Sequence, residues 1–182
     1  MKSSKSTGPG IGRDVRPVRV EAEVSEIRQA LYRGDRAAAD ALIGSGAAIN
    51  GFDAAALGDV SFLESLLVSD PGLVHEWSAD GFTALHFAAF LGGADAVRVL
   101  IAAGADVGAV ARNDMRVQPL HSAAALGDVE ACRLLLDAGA DPNAAQQGGY
   151  VPLDEAVSNK KDELAALLRA RGAQLSGNQL PT

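Results

Sequence analysis

The sequence predicts an all-α array of about five stacked helix-turn-helix units, on the strength of three recurrences. The block from Gly81 to Ala89, Gly-Phe-Thr-Ala-Leu-His-Phe-Ala-Ala, returns 35 residues later from Val117 to Ala124 as Val-Gln-Pro-Leu-His-Ser-Ala-Ala. It returns again after 33 residues, from Tyr150 to Ala156, as Tyr-Val-Pro-Leu-Asp-Glu-Ala. A stop follows each block at a fixed offset: Gly104-Ala105-Asp106, Gly139-Ala140-Asp141 and Gly172-Ala173. A third signal breaks each unit in two: Arg33-Gly34-Asp35, Leu57-Gly58-Asp59, Leu91-Gly92-Gly93, Leu126-Gly127-Asp128 and an altered last copy, Asn159-Lys160-Lys161. Five breaks imply five helical pairs, because a short turn between antiparallel helices favours a residue that tolerates positive φ.

The elements follow in order. Residues 1–24 are rich in Ser, Gly, Pro and Arg without an apolar period, which predicts a flexible basic arm. Ile27, Ala30 and Leu31, then Ala38, Ala41, Leu42 and Ile43, keep helical spacing around the first break, so 25–50 reads as an N-terminal capping pair. The next unit, 51–79, ends in Asp70-Pro71-Gly72 instead of the simpler stop. Units follow over 80–112 and 113–147. The last, 148–174, is polar at Lys160 to Glu163 and at Arg169 to Arg171, as suits a C-terminal cap, and 175–182 is a tail.

Thr83-Ala84-Leu85-His86 and Gln118-Pro119-Leu120-His121 resemble the Thr-Pro-Leu-His signature of ankyrin repeats, at the roughly 33-residue period of that family. Val97 to Ile101 and Cys132 to Leu136 resemble its second helix, and Gly-Ala-Asp its helix stop. The resemblance implies a right-handedly curved solenoid with short β-hairpin fingers between units, and a non-catalytic scaffold that binds proteins through its concave face and fingers. The first connection between pairs, from Gly46 to the break at Gly58, is too short to hold such a finger.

Composition agrees. At 182 residues and 48% hydrophobic content, with 4% aromatic, the core must come from Ala, Leu and Val, as in thin helices packed in layers. Of the net charge of −7, residues 1–24 carry +2 (five Lys or Arg, three acids), leaving −9 for the remainder, which disfavours nucleic acid as the ligand. Apolar runs fall short of a membrane span, and the basic start is not followed by an apolar stretch. A cytoplasmic, monomeric protein is expected. Ala-, Gly- and Arg-rich usage and the Arg112-Asn113-Asp114-Met115 segment resemble a bacterial type of ankyrin protein.

No residue pattern calls for a catalytic site, a metal or a cofactor. Phosphate loops, Cys-x-x-Cys, Gly-x-Ser-x-Gly and His-Glu-x-x-His are absent. His86 and His121 stand one unit apart, about 10 Å for packed helices, too far to share a metal. The family resemblance assigns them to backbone hydrogen bonds that tie neighbouring units. Asp154 takes the third His position and should accept from nearby backbone. Cys132, where the previous unit has Val97, should be a buried thiol, and His75 should lie on a finger.

The candidate partner-binding residues lie where concave helices and fingers are expected. Just before the breaks come Tyr32, Leu57, Phe90, Leu91 and Leu126, of which Leu57, Leu91 and Leu126 form either an apolar row facing a partner or packing within the array. Trp77, the only tryptophan, is expected to face solvent from a finger as an anchor or else to pack onto Phe82 or the next finger. Arg112, Asn113, Met115 and Arg116 lie on the longest finger, which either meets a carboxylate-rich partner with its two arginines or is a variant loop whose Met115 folds back onto its neighbour. Gln146, Gln147 and Tyr150 follow one unit later. The expected function is an adaptor or regulator. An immunity-like inhibitor of a co-encoded toxin or enzyme would use the same surface, whereas an enzyme or small-ligand protein would need a convergent polar pocket that no spacing supports.

Overall fold

The computed structural model describes residues 23–178, so the arm expected at 1–24 lies almost wholly outside the described residues. Five helical pairs follow one another: α1 (Glu26–Tyr32) with α2 (Arg36–Gly44), α3 (Gly51–Leu57) with α4 (Val60–Ser69), α5 (Ala84–Phe87) with α6 (Ala94–Ala102), α7 (Pro119–Leu126) with α8 (Val129–Asp137), and α9 (Pro152–Ser158) with α10 (Asp162–Ala170). The first helices touch in succession to make an inner layer, and α4, α6, α8 and α10 make an outer one.

Two apolar columns fix that stack. The second residue of each inner helix, Ile27, Phe52, Leu85, Leu120 and Leu153, is buried. Alanines fill the rest of the inner interface: Ala55, Ala88, Ala89, Ala123, Ala124 and Ala156 have no exposed surface, so neighbouring backbones approach closely. In the outer layer the positions four and seven past the helix cap hold Leu63 and Leu66, Val97 and Leu100, Cys132 and Leu135, Ala165 and Leu168, all buried on one helical face. Cys132 is therefore core, and burial pushes its thiol up to about 12.

Capping differs between units. Asp35, Asp59 and Asp128 accept the amides of Ala38, Phe62 and Ala131 at 2.9, 3.2 and 2.9 Å. The third unit has Gly93 at that place, and α5 runs on as a π-helical turn over Ala88–Gly92, closed by the Gly93 N–H to Ala88 O at 2.8 Å. That turn presses on its neighbour: a Cβ on Gly92 would lie 1.9 Å from the Ala55 carbonyl oxygen, and one on Gly58 would lie 2.4 Å from the Gly92 oxygen. In the last unit Lys160 takes up φ +54, where glycine stands in the others.

The fingers depart from expectation. The first connection, residues 45–50, has none, as the sequence implied. The other three contain no strand among the described residues. Each is a turn with one backbone hydrogen bond across its mouth, Ser78 N–H to Phe82 O at 2.8 Å, Ala111 N–H to Val117 O at 2.8 Å and Gln146 N–H to Tyr150 O at 2.9 Å, and a tighter one inside it. Too short for a ladder, they pair sideways instead: Arg112 N–H donates to Gly81 O at 2.8 Å and Gln147 N–H to Met115 O at 3.0 Å. His75 ends a 3-10 helix, Pro71–His75, that leads into the first finger and does not lie on it.

Two substitutions test this backbone. Gly92→Ala should lower the unfolding free energy by about 3 kcal/mol, since the Ala55 carbonyl it would strike cannot yield without moving a helix. Lys160→Gly should raise it by about 1 kcal/mol by relieving the left-handed conformation. Urea melts would read both.

Candidate functional site

The third residue of each inner helix decides how one unit is tied to the next. This column reads Arg28, Asp53, His86, His121 and Asp154. Four of the five accept the amide of their own helix cap: Asn50 N–H to Asp53 at 3.1 Å, Thr83 N–H to His86 Nδ1 at 3.2 Å, Gln118 N–H to His121 Nδ1 at 3.1 Å and Val151 N–H to Asp154 at 2.9 Å. Their remaining atoms reach outward. With Nδ1 accepting, His86 carries its proton on Nε2 and donates to Val117 O at 3.1 Å in the next finger. The carbonyls of Ala144 and Tyr150 lie near the His121 ring, but its Nε2 lacks a hydrogen bond of that kind. Asp154 accepts the amide of Ser176 at 3.1 Å, which fastens the start of the tail.

The first unit is tied by charge. Arg28, fully buried, donates from Nε to Asp53 Oδ1 at 3.0 Å and lies 3.5 Å from Asp80 in the third unit. Its guanidinium stands 4.9 Å from the Phe87 ring centre and 5.5 Å from that of Phe52. Ser25 donates to the same Asp53 carboxylate. Tyr32, one turn on, donates its hydroxyl to Asp80 at 2.5 Å and sets its ring 6.4 Å from Phe87.

These ties hold open a groove of about 690 Å³ between the inner helices and the fingers. Its floor carries Phe87, Ser122 and Glu155, each the residue after the column, with Phe90 and Ala125 one turn further on. The fingers supply Asp80, Phe82, Asn113, Asp114, Met115, Val117 and Gln146, and Tyr32 closes one end. Of the residues expected from sequence, Tyr32, Phe90, Asn113, Met115 and Gln146 meet in this groove. Asn113 is held there by its side-chain amide donating to Asp80 O at 2.9 Å.

Others do not join it. Leu57 is buried and Leu91 half-buried against the core, while Leu126 is 52% exposed outside the lining, so no leucine row faces the groove. Trp77 is half-buried beneath the guanidinium of Arg112, 4.1 Å from its ring centre, so the tryptophan packs against the next finger and lies outside the groove lining. Arg116 and Gln147 are exposed outside the lining, and Tyr150 is half-buried beside Gly148. Phe82 and Phe87 directly flank the motif, a signal that would have found them. The acids Asp80, Asp114 and Glu155 carried no such signal.

Burial sets the protonation of the two histidines. It holds the His86 imidazole down at about 4 from an ordinary 6.5, and His121 is lowered for the same reason. The unfolded chain therefore takes up these protons first as pH falls, so the stability is whole above pH 6.5 and is lost towards pH 4. Glu76, raised by burial and by Asp70, works in the opposite sense. Urea melts should show a loss of about 3 kcal/mol from His86 across that window, and His86→Gln should flatten the slope. Arg28→Ala, which leaves Asp53 buried without its cation, should cost about 3 kcal/mol or more in the same melts.

Among the described residues no helix is long and apolar enough to cross a membrane. No curated protein matches the chain. A family model for ankyrin repeats in three copies matches residues 52–146, over half of the 182 residues, and covers the second to fourth units. Such arrays generally mediate protein–protein interactions and are typically non-catalytic. With recurring helix pairs, cap-binding histidines and that match in agreement, the chain belongs to the ankyrin repeat family.

Proposed function

We propose that this array is a non-catalytic interaction module, a cytoplasmic adaptor or regulator acting as a monomer, that binds a partner protein in the groove between inner helices and fingers. The observation that carries the reading is the apolar content of that groove: Tyr32, Phe90 and Met115 are 43%, 39% and 52% exposed along one lining, beside Phe82, Phe87 and Val117. Large side chains left uncovered together mark a surface that gains by being covered. Aromatic residues in a concave site are also frequent sources of binding energy. The histidines support a scaffold role, since His86 has both ring nitrogens committed, one to its own helix cap and the other to the next finger.

The test is capture from a lysate of the source organism with the full chain as bait, beside Phe90→Lys with Met115→Lys and, as control, Val68→Lys on the outer helix α4, where Val68 is 85% exposed. Wild type and the Val68 variant should retain the same protein, and the groove variant should lose it while melting within about 3 °C of wild type. Retention by the groove variant would place the binding surface elsewhere.

A further inference from the structure

Resting on the reading of the groove as a protein-binding site, we infer that its occupant is a cationic apolar segment of the partner, with lysine or arginine side chains flanking hydrophobic ones. The lining includes three carboxylates, Asp80, Asp114 and Glu155, and no lysine or arginine. Asp80 is already engaged by Ser78, Tyr32 and Arg28. Asp114 stands on the finger, Glu155 on α9, and neither belongs to an ion pair among the described residues. Glu155 accepts one hydrogen bond, from Asn159 at 2.6 Å, which leaves its second oxygen for a ligand.

The sequence pointed the other way, to a basic finger meeting an acidic partner. In the structure neither arginine of that finger reaches the groove: Arg112 lies over Trp77, and Arg116 is outside the lining. What remains is an apolar floor with two carboxylates on opposing elements. An acidic segment would bring like charge into a partly dehydrated groove, whereas a cation between Asp114 and Glu155 meets opposite charge on both sides. The exposed aromatic rings of Tyr32 and Phe90 favour cations further.

Fluorescence anisotropy with the full chain and three labelled peptides of about 16 residues tests this. One presents leucines at helical spacing with lysine and arginine between them, the second replaces those cations with glutamate, and the third keeps the cations but replaces the leucines with serine. The first should bind, weaken about tenfold between low and high salt, and weaken about tenfold again in Asp114→Asn with Glu155→Gln. The other two should bind at least about tenfold more weakly than the first. Equal binding of the leucine peptides, preference for the acidic one, or equal binding of the serine peptide would overturn the inference. So would unchanged binding of the first peptide in the doubly neutralised variant or in Phe90→Lys with Met115→Lys, or no binding of any peptide. If no peptide binds while that lysine variant still loses its captured protein, the groove remains the binding surface and only the cationic occupant fails. If the lysine variant keeps its captured protein, the groove reading itself falls.

Discussion

The third position of each inner helix is the constraint on which the array depends. In four of the five units the side chain there takes up the cap amide of its own helix, and where it also reaches beyond its helix the chemistry of the residue sets the direction of that reach. A neutral imidazole has one acceptor and one donor, so His86 accepts at home and donates forward to the Val117 carbonyl. A carboxylate only accepts, and Asp53 and Asp154 appear where a donor is at hand: Arg28 and Ser25 behind the one, the Ser176 amide ahead of the other. The change from histidine to aspartate towards the ends of the array follows from what each neighbour offers.

Repeats, helical pairs and the column itself were legible in the sequence, because each is written in local spacing: glycine at the turns, alanine and leucine on one face, the motif at a fixed interval. The leucine row failed for a countable reason. Registering residues backwards from the turn glycine assumes inner helices of equal length, but α3 is one residue shorter from cap to glycine than α7. Leu57 therefore shares its register with Tyr32 and Phe90 and not with Leu91 and Leu126, so the three leucines do not form one row; unlike those two aromatics, Leu57 is buried. The strands expected in the fingers gave way because each loop has one bond across its mouth, and the second and third fingers each donate an amide back to the preceding finger.

The remaining misses are long-range pairings, which local spacing does not encode. Arg28 looks from sequence like a solvated residue among polar neighbours, and its burial depends on acids and rings that arrive 24 to 59 residues later. Arg112 and Trp77 cancel each other's availability across two fingers. The sign of the groove is thus a product of the fold: net charge alone describes the chain, and only the pairing of particular cations decides which acids of the lining are left outside an ion pair.

The reach of Arg28 and Tyr32 past the second unit has a consequence for how this array comes apart. Repeat proteins are commonly treated as a line of blocks, each feeling only the two beside it. Here the first block grips the third directly, through Asp80 and Phe87, with α3 held between them. The opening end of the chain therefore cannot peel away one unit at a time. The first three units form a single cooperative cluster, longer-ranged than the usual nearest-neighbour description allows, and a unit inserted or deleted within it would break contacts it does not itself make.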